Sequence, residues 1–184
     1  MSGPAPHIVR RPGERAVDRK AMLRVDQAGE YGATRIYAGQ LAVLGNRHPS
    51  SRLIASMATQ EERHRKHFDA MLAERGVRPT LLQPIWHVAG YALGAATALL
   101  GPEAAMACTS AIETEIDRHY SHQLEELGDS DPELSEAIAD FQAEEVEHLN
   151  TAMAEGAERA PAYPLLSGLI RAGCRAAIAL SQRI

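Results

Sequence analysis

Aromatic residues are scarce in this 184-residue chain: two phenylalanines, five tyrosines and one tryptophan make up 4% of it. Sandwiches and barrels draw on aromatic and β-branched side chains, so the composition turns away from all-β folds. Cysteine is rarer still. Cys108 and Cys174 form no Cys-x-x-Cys pair, which argues against a zinc site or disulfide scaffold and for two small buried thiols in a reducing compartment. Positive charge is not in excess either. A net charge of −5 without a basic stripe disfavours nucleic-acid binding. No Gly-x-Gly-x-x-Gly fingerprint is present, which removes a Rossmann-type nicotinamide site. The opening MSGPAPHIVRRPGER has no apolar signal core. Residues 1–14 therefore read as a flexible tail before a single domain spanning 15–184.

Alanine and leucine are plentiful, and helix punctuation divides the chain into six segments. The first helix spans about Arg15 to Leu44 and stops at Gly45. The second starts after Ser50, an N-cap candidate, and ends near Gly76. An uncharged segment from Pro79 to Leu100 closes at Gly101-Pro102. A fourth helix opens at Pro102 and stops near Gly128. Asp131-Pro132 starts a fifth that runs to about Glu158. Pro161 and Pro164 introduce a last apolar segment. No stretch alternates with period two between hairpin turns, so the fold is all-α.

The chain repeats itself. At an offset of 83, Glu30 falls on Glu113, and Tyr37, Gln40 and Leu41 fall on Tyr120, Gln123 and Leu124. At an offset of 84, Glu61 falls on Glu145, His64 on His148, and Leu81-Leu82 on Leu165-Leu166. Two copies of a three-helix unit follow: a Glu helix, a Glu-x-x-His helix and an apolar helix. Helical residues three apart lie within about 60° of one another. Each Glu-x-x-His can thus aim a carboxylate and an imidazole at one point. Glu30, Glu61, His64, Glu113, Glu145 and His148 are together the ligand set of a di-iron or di-manganese site in a helical bundle. Carboxylates bridge two hard metals, and imidazoles cap them and leave positions open for dioxygen. Four converging carboxylates would also be costly to bury without cations.

Neighbouring groups compete for these roles. Glu62, Glu115, Glu144, Glu147, His67, His119 and His122 read mostly as surface charges or as groups behind the ligands. Tyr37 and Tyr120 lie two turns beyond the ligand glutamates, where they serve as hydrogen-bond donors, electron carriers or core residues. Asp117 is placed to orient a ligand histidine or to form an ion pair.

Between Arg78 and Glu103 run 24 residues without Asp, Glu, Lys or Arg. Pro84, His87 and several glycines shorten the apolar helix to about 16 residues, below the ~20 needed to cross a bilayer. A crossing would also part Glu61 and His64 from Glu113. The last segment adds Arg171, Arg175 and Arg183 to an apolar body, a pattern that suits a helix lying among headgroups with its arginines on anionic lipid. Packing on the bundle, or at an oligomer interface, is the alternative.

RVDQAGEYGATRIYAGQLAVL (24–44), RPTLLQPIWHVAGYALGAATALLGPEAAMACT (78–109) and APAYPLLSGLIRAGCRAAIALS (160–181) closely resemble the demethoxyubiquinone hydroxylases of ubiquinone biosynthesis. The resemblance covers about residues 18–184. It implies a ferritin-like four-helix bundle with two additional apolar or amphipathic helices, holding two iron ions per chain on the six residues already named. It also implies hydroxylation of the demethoxyubiquinone or demethoxyubiquinol ring with O2 in the penultimate step, the second oxygen atom leaving as water. His119 and Tyr120 match a His-Tyr pair suited to electron delivery, and NADH is the implied candidate reductant. Adjacent glutamates common in the family are here Glu113-Thr114-Glu115. Glu115 lies some 200° around the helix, which keeps Glu113 as the ligand. The expected setting is peripheral, on the cytoplasmic side of the cell membrane. A homo-oligomer or a lipid-presenting partner protein is left open. The rival readings are an iron store, a peroxide-consuming or catalase-type ferritin relative, and a metal-free membrane scaffold.

Overall fold

The computed structural model describes residues 17–184, which form six α-helices and, among the described residues, no strand. The expected flexible tail, residues 1–14, lies outside the described residues, as does Arg15 at the expected start of the first helix. α1 (Arg19–Leu44) begins where the Asp18 carboxylate accepts from the Ala21 N–H at 3.0 Å. α2 spans Ser51–Glu74. Ser50 holds its N-cap position but makes no side-chain capping bond; the Ser51 hydroxyl instead donates to the Gly45 carbonyl at 2.6 Å. α3 (Gln83–Leu99) and α4 (Pro102–Leu127) follow, and α5 (Pro132–Ala154) is capped by Asp131, which accepts from the Leu134 N–H at 3.2 Å. The fifth helix stops short of the expected Glu158. Gly156 turns left-handed at φ 94°, a conformation glycine adopts without a Cβ clash, and starts a short 3-10 turn before α6 (Tyr163–Ser181).

α1 packs on α2 and α4 on α5, and the two hairpins close a four-helix bundle. The repeat becomes a two-fold relation in space. Tyr37 on α1 reaches Glu113 on α4, while Tyr120 on α4 reaches Glu30 on α1. One apolar cluster, with Leu23, Phe68, Leu134 and Ile138, fills one end of the bundle. A second, with Ile54, Met57, Met106 and Ala152, fills another part.

α3 lies along α1 and α6 along α4, outside the bundle. α3 sits very close, because Gly39 and Gly94 present no side chain at the crossing. A Cβ on Gly94 would overlap the Ile36 carbonyl, and one on Gly39 would lie 2.8 Å from the Ala95 nitrogen. The outer faces of both helices are apolar and bare: Val88 is 66% exposed, Leu99 75%, Leu165 65% and Leu169 65%. No helix among the described residues is long and apolar enough to cross a membrane.

The crossing yields a direct test. Gly94→Ala drives a methyl group into α1 backbone, which should lower stability by roughly 1–3 kcal/mol. The measurement is a thermal melt, with a Tm decrease of roughly 3–10 °C expected.

Candidate metal centre

Glu30 on α1, Glu61 and His64 on α2, Glu113 on α4, and Glu145 and His148 on α5 are all buried. The helices bring them together as two overlapping groups. Glu30, Glu61, His64 and Glu145 offer ligand atoms within 4.8 Å of one another, and so do Glu61, Glu113, Glu145 and His148. Glu61 and Glu145 belong to both groups. Each end adds the single glutamate and the histidine of one repeat.

Both imidazoles face the centre with Nδ1. His64 Nδ1 lies 3.1 Å from Glu145 Oε1 and 3.4 Å from Glu30 Oε2. His148 Nδ1 lies 3.0 Å from Glu145 Oε2 and 3.1 Å from Glu61 Oε1. One ring proton serves one oxygen, so Glu30 Oε2 and Glu61 Oε1 are left without a hydrogen-bond partner. Spacings of about 3 Å between donor atoms are those of neighbouring ligands around one cation at roughly 2.0–2.2 Å. The residues therefore fit a pair of hard or borderline divalent cations.

The electrostatics agree. Burial, then the charges of Glu145, Glu30 and Glu113, pushes Glu61 well above the ordinary carboxylate range. Burial and Glu145 do the same to Glu113, and burial raises Glu30. Glu145 also suffers burial, yet hydrogen bonds from His148 and His64 bring it down to about 2. His64 rises to about 10, because Glu145 and Glu30 outweigh the burial that would lower it. The folded chain thus gathers protons where cation charge would otherwise sit.

Two residues outside these six orient the imidazoles. His148 Nε2 donates to Gln60 Oε1 at 3.0 Å, and His64 Nε2 to Glu144 Oε2 at 3.2 Å. The Gln60 amide then donates to Glu144 Oε2 at 3.2 Å. Each residue preceding a Glu-x-x-His glutamate holds the other repeat's histidine, with Nδ1 turned inward. The sequence carried a signal for this, since Gln60 and Glu144 share the repeat register, but unlike residue types masked it. The tyrosines cross in the same way. Tyr37 donates to Glu113 Oε1 at 3.2 Å and Tyr120 to Glu30 Oε1. Burial above all keeps both phenols protonated, as donors.

The remaining candidates separate. Glu62 pairs with Arg65, and Glu147 is exposed. His67 packs edge-on to Phe141 with centroids 5.3 Å apart, and His122 sits on the surface near Glu126. Asp117 accepts from Gln142 Nε2 at 2.6 Å and reaches no ligand histidine. His119 lies against Asp26, at 3.3 Å, one residue from Tyr120.

Beside the centre, α1, α3, α4 and α6 enclose an apolar slot of ≈ 520 Å³. Trp86, Leu93, Ile112, Ile116, Ile170 and Cys174 are among its lining. Both cysteines are free, Cys108 buried and Cys174 partly so. Burial, then the Glu113 carboxylate, raises the Cys174 thiol to about 12. One expectation about α6 is corrected. Arg171 and Arg175 do not point to lipid; they converge on the buried Glu115, Arg171 Nε at 2.6 Å and Arg175 Nη1 at 2.9 Å from Oε1. An unpaired buried carboxylate costs several kcal/mol, and that outweighs the gain at a screened surface.

Residues 18–181 match the family model for the ubiquinone biosynthesis protein COQ7. The chain belongs to the COQ7 family. A relative from Rhodospirillum rubrum, a 3-demethoxyubiquinol 3-hydroxylase, is 55% identical over 91% of this chain and 78% of its own. The mouse NADPH-dependent 3-demethoxyubiquinone 3-hydroxylase, a mitochondrial protein, is 54% identical over 91% of this chain and 78% of its own. The Saccharomyces cerevisiae 5-demethoxyubiquinone hydroxylase is 41% identical over 89% and 77%.

The strained carboxylates of this COQ7-family chain make a testable prediction. Glu61→Gln replaces a carboxyl that must take up a proton to be buried in the metal-free chain, and removes one of the two residues shared by both groups. The chelator-treated variant should be more stable than the chelator-treated parent by roughly 1–2 kcal/mol, a Tm gain of roughly 2–8 °C. The Tm increase that ferrous iron gives the parent should disappear.

Proposed function

We propose that this chain is an oxidoreductase, a demethoxyubiquinol monooxygenase of ubiquinone biosynthesis, with two iron ions on Glu30, Glu61, His64, Glu113, Glu145 and His148. The observation that carries this reading is the convergence of four buried carboxylates and two inward imidazole nitrogens beside an apolar slot. The relatives' names supply the substrate class: a benzoquinone or quinol ring lacking one methoxy group. When bound, the iron pair supplies the redox chemistry that inserts one oxygen atom of O2 into a ring C–H bond.

The chain's own residues prepare that chemistry. Tyr37 and Tyr120 hold the Glu113 and Glu30 carboxylates, and Gln60 and Glu144 fix the ring orientation of His148 and His64. The slot excludes water and accepts the ring with the first part of its prenyl tail. His119 and Tyr120 form a route for electrons from a reduced nicotinamide nucleotide, as the mammalian relatives' names suggest. Comparing NADH with NADPH as donor identifies the form used.

The reading includes peripheral binding to a membrane, at its cytoplasmic side, where a substrate with a long prenyl tail resides; the bare leucines of α3 and α6 support it. A buried leucine contributes about 1.5–3 kcal/mol. Leu99→Ser or Leu169→Ser should therefore weaken binding to phospholipid vesicles by roughly tenfold or more, measured by flotation.

The central experiment is anaerobic reconstitution with ferrous iron, then incubation with demethoxyquinol, reductant and O2. We expect binding of about two irons per chain and a hydroxylated ring. His148→Ala should lower both iron content and turnover by at least about 100-fold in affinity or rate. Turnover unaffected by that change, or tight zinc binding without hydroxylation, would sink the proposal.

A further inference from the structure

The two outer helices are attached by different physics. α3 is locked to α1 backbone-to-backbone through Gly39 and Gly94. α6 has no such lock: a Cβ on its own Gly168 or Gly173 would meet nothing within 4 Å. Its outer face is bare at Leu165, Leu169 and Leu180, so nothing presses it inward from that side. Ile170 and Leu166 pack against Cys108, Ala111 and Ile112. A Trp86 Nε1 to Ser181 Oγ hydrogen bond of 3.0 Å ties the far end of α6 to α3.

Just past the helix, the Ile184 carbonyl accepts from Arg78 Nη1 at 2.7 Å and the Gln182 carbonyl from Arg24 Nη1 at 3.3 Å. Along the middle of α6 the polar attachment is charge. Arg171 and Arg175 are the charged residues of α6, and their i, i+4 spacing puts both on one face. Both bind the same oxygen of Glu115, whose side chain is 1% exposed. Glu115 sits two residues past Glu113, about 200° around α4. One helix thus turns Glu113 inward to the centre and Glu115 outward to α6. Ile170, Cys174 and Ile178, which line the slot, lie beside the two arginines on α6.

We propose that Glu115 is a positioning residue for the substrate: through Arg171 and Arg175 it holds α6 as the movable wall of the slot and so sets quinone affinity without touching the metal ligands. The inference deepens the proposed function and rests on the slot being the quinone site. With the Trp86–Ser181 hydrogen bond as its anchor at the far end, the middle of α6 swings outward when a prenylated ring enters from the membrane face, and the two-arginine clamp returns it.

The test uses the full chain in detergent and a short-tailed prenyl benzoquinone as probe. Trp86 is the chain's one tryptophan and lines the slot, so quinone binding is read as quenching of its fluorescence, independent of turnover. Glu115→Gln keeps the shape and removes the charge. It should raise the quinone Kd, and the KM for demethoxyquinol, about tenfold, with kcat changed by less than about twofold and iron content unchanged. Arg175→Met, at a half-exposed position, leaves Arg171 in place and should raise Kd by about threefold, which keeps the test valid if Glu115→Gln folds poorly. Unchanged Kd in both variants, with normal quenching in the parent, overturns the positioning role and leaves the slot reading standing. Loss of iron in step with Kd assigns Glu115 to the metal helix and overturns it as well. Absence of quenching in the parent overturns both the slot reading and this inference.

Discussion

Four carboxylates share one small volume inside a helical bundle, and the rest of the architecture answers to that constraint. Burial first, and then mutual repulsion at low dielectric, drives Glu61 and Glu113 well above the ordinary range. Only Glu145, between two imidazoles, is pulled down. Apolar clusters in the bundle keep water from relieving the repulsion. Such a core is stable only with compensating charge: protons in the bare chain, or two divalent cations matching the four carboxylates.

The repeat solves the problem of orientation. Each half supplies ligands, and each half's supporting groups serve the other. Tyr37 and Tyr120 exchange partners across the α1–α4 contact, while Gln60 and Glu144 exchange histidines across the α2–α5 contact. A ligand held from the opposite hairpin cannot be correctly aimed until both hairpins have docked. Folding of the bundle and preorganisation of the site are therefore the same event.

Outside the bundle, the symmetry of the repeat relaxes. α3 and α6 are equivalent in the repeat, yet one is fixed by glycine contacts and the other is clamped by two partly exposed arginines on one buried glutamate. Close backbone packing leaves α3 no room to move. A charge clamp can break and reform, which suits the proposed role of α6 as the wall of a slot for a bulky, flexible substrate. The apolar residues on both outer faces lie on the same two helices that frame the slot, linking a bare apolar surface to the interior.

Element types, their order and the six clustered residues were legible in the sequence, because helix caps and hydrophobic period are local and the repeat set Glu30 beside Glu113 and the two Glu-x-x-His pairs in register. Helix ends were less legible where a single glycine decides: Gly156 halts α5 at Ala154 by taking a left-handed turn. Long-range pairing was not legible at all. Glu115 looked like a bystander and Arg171 and Arg175 looked like lipid contacts, since nothing in a one-dimensional pattern says that residues 56 and 60 apart will share an oxygen. Gln60 and Glu144 were hidden for the same reason. A residue's own helix determines which way it points; what waits there is decided only when helices pack, and the cost of leaving a buried polar group unpaired selects the partner.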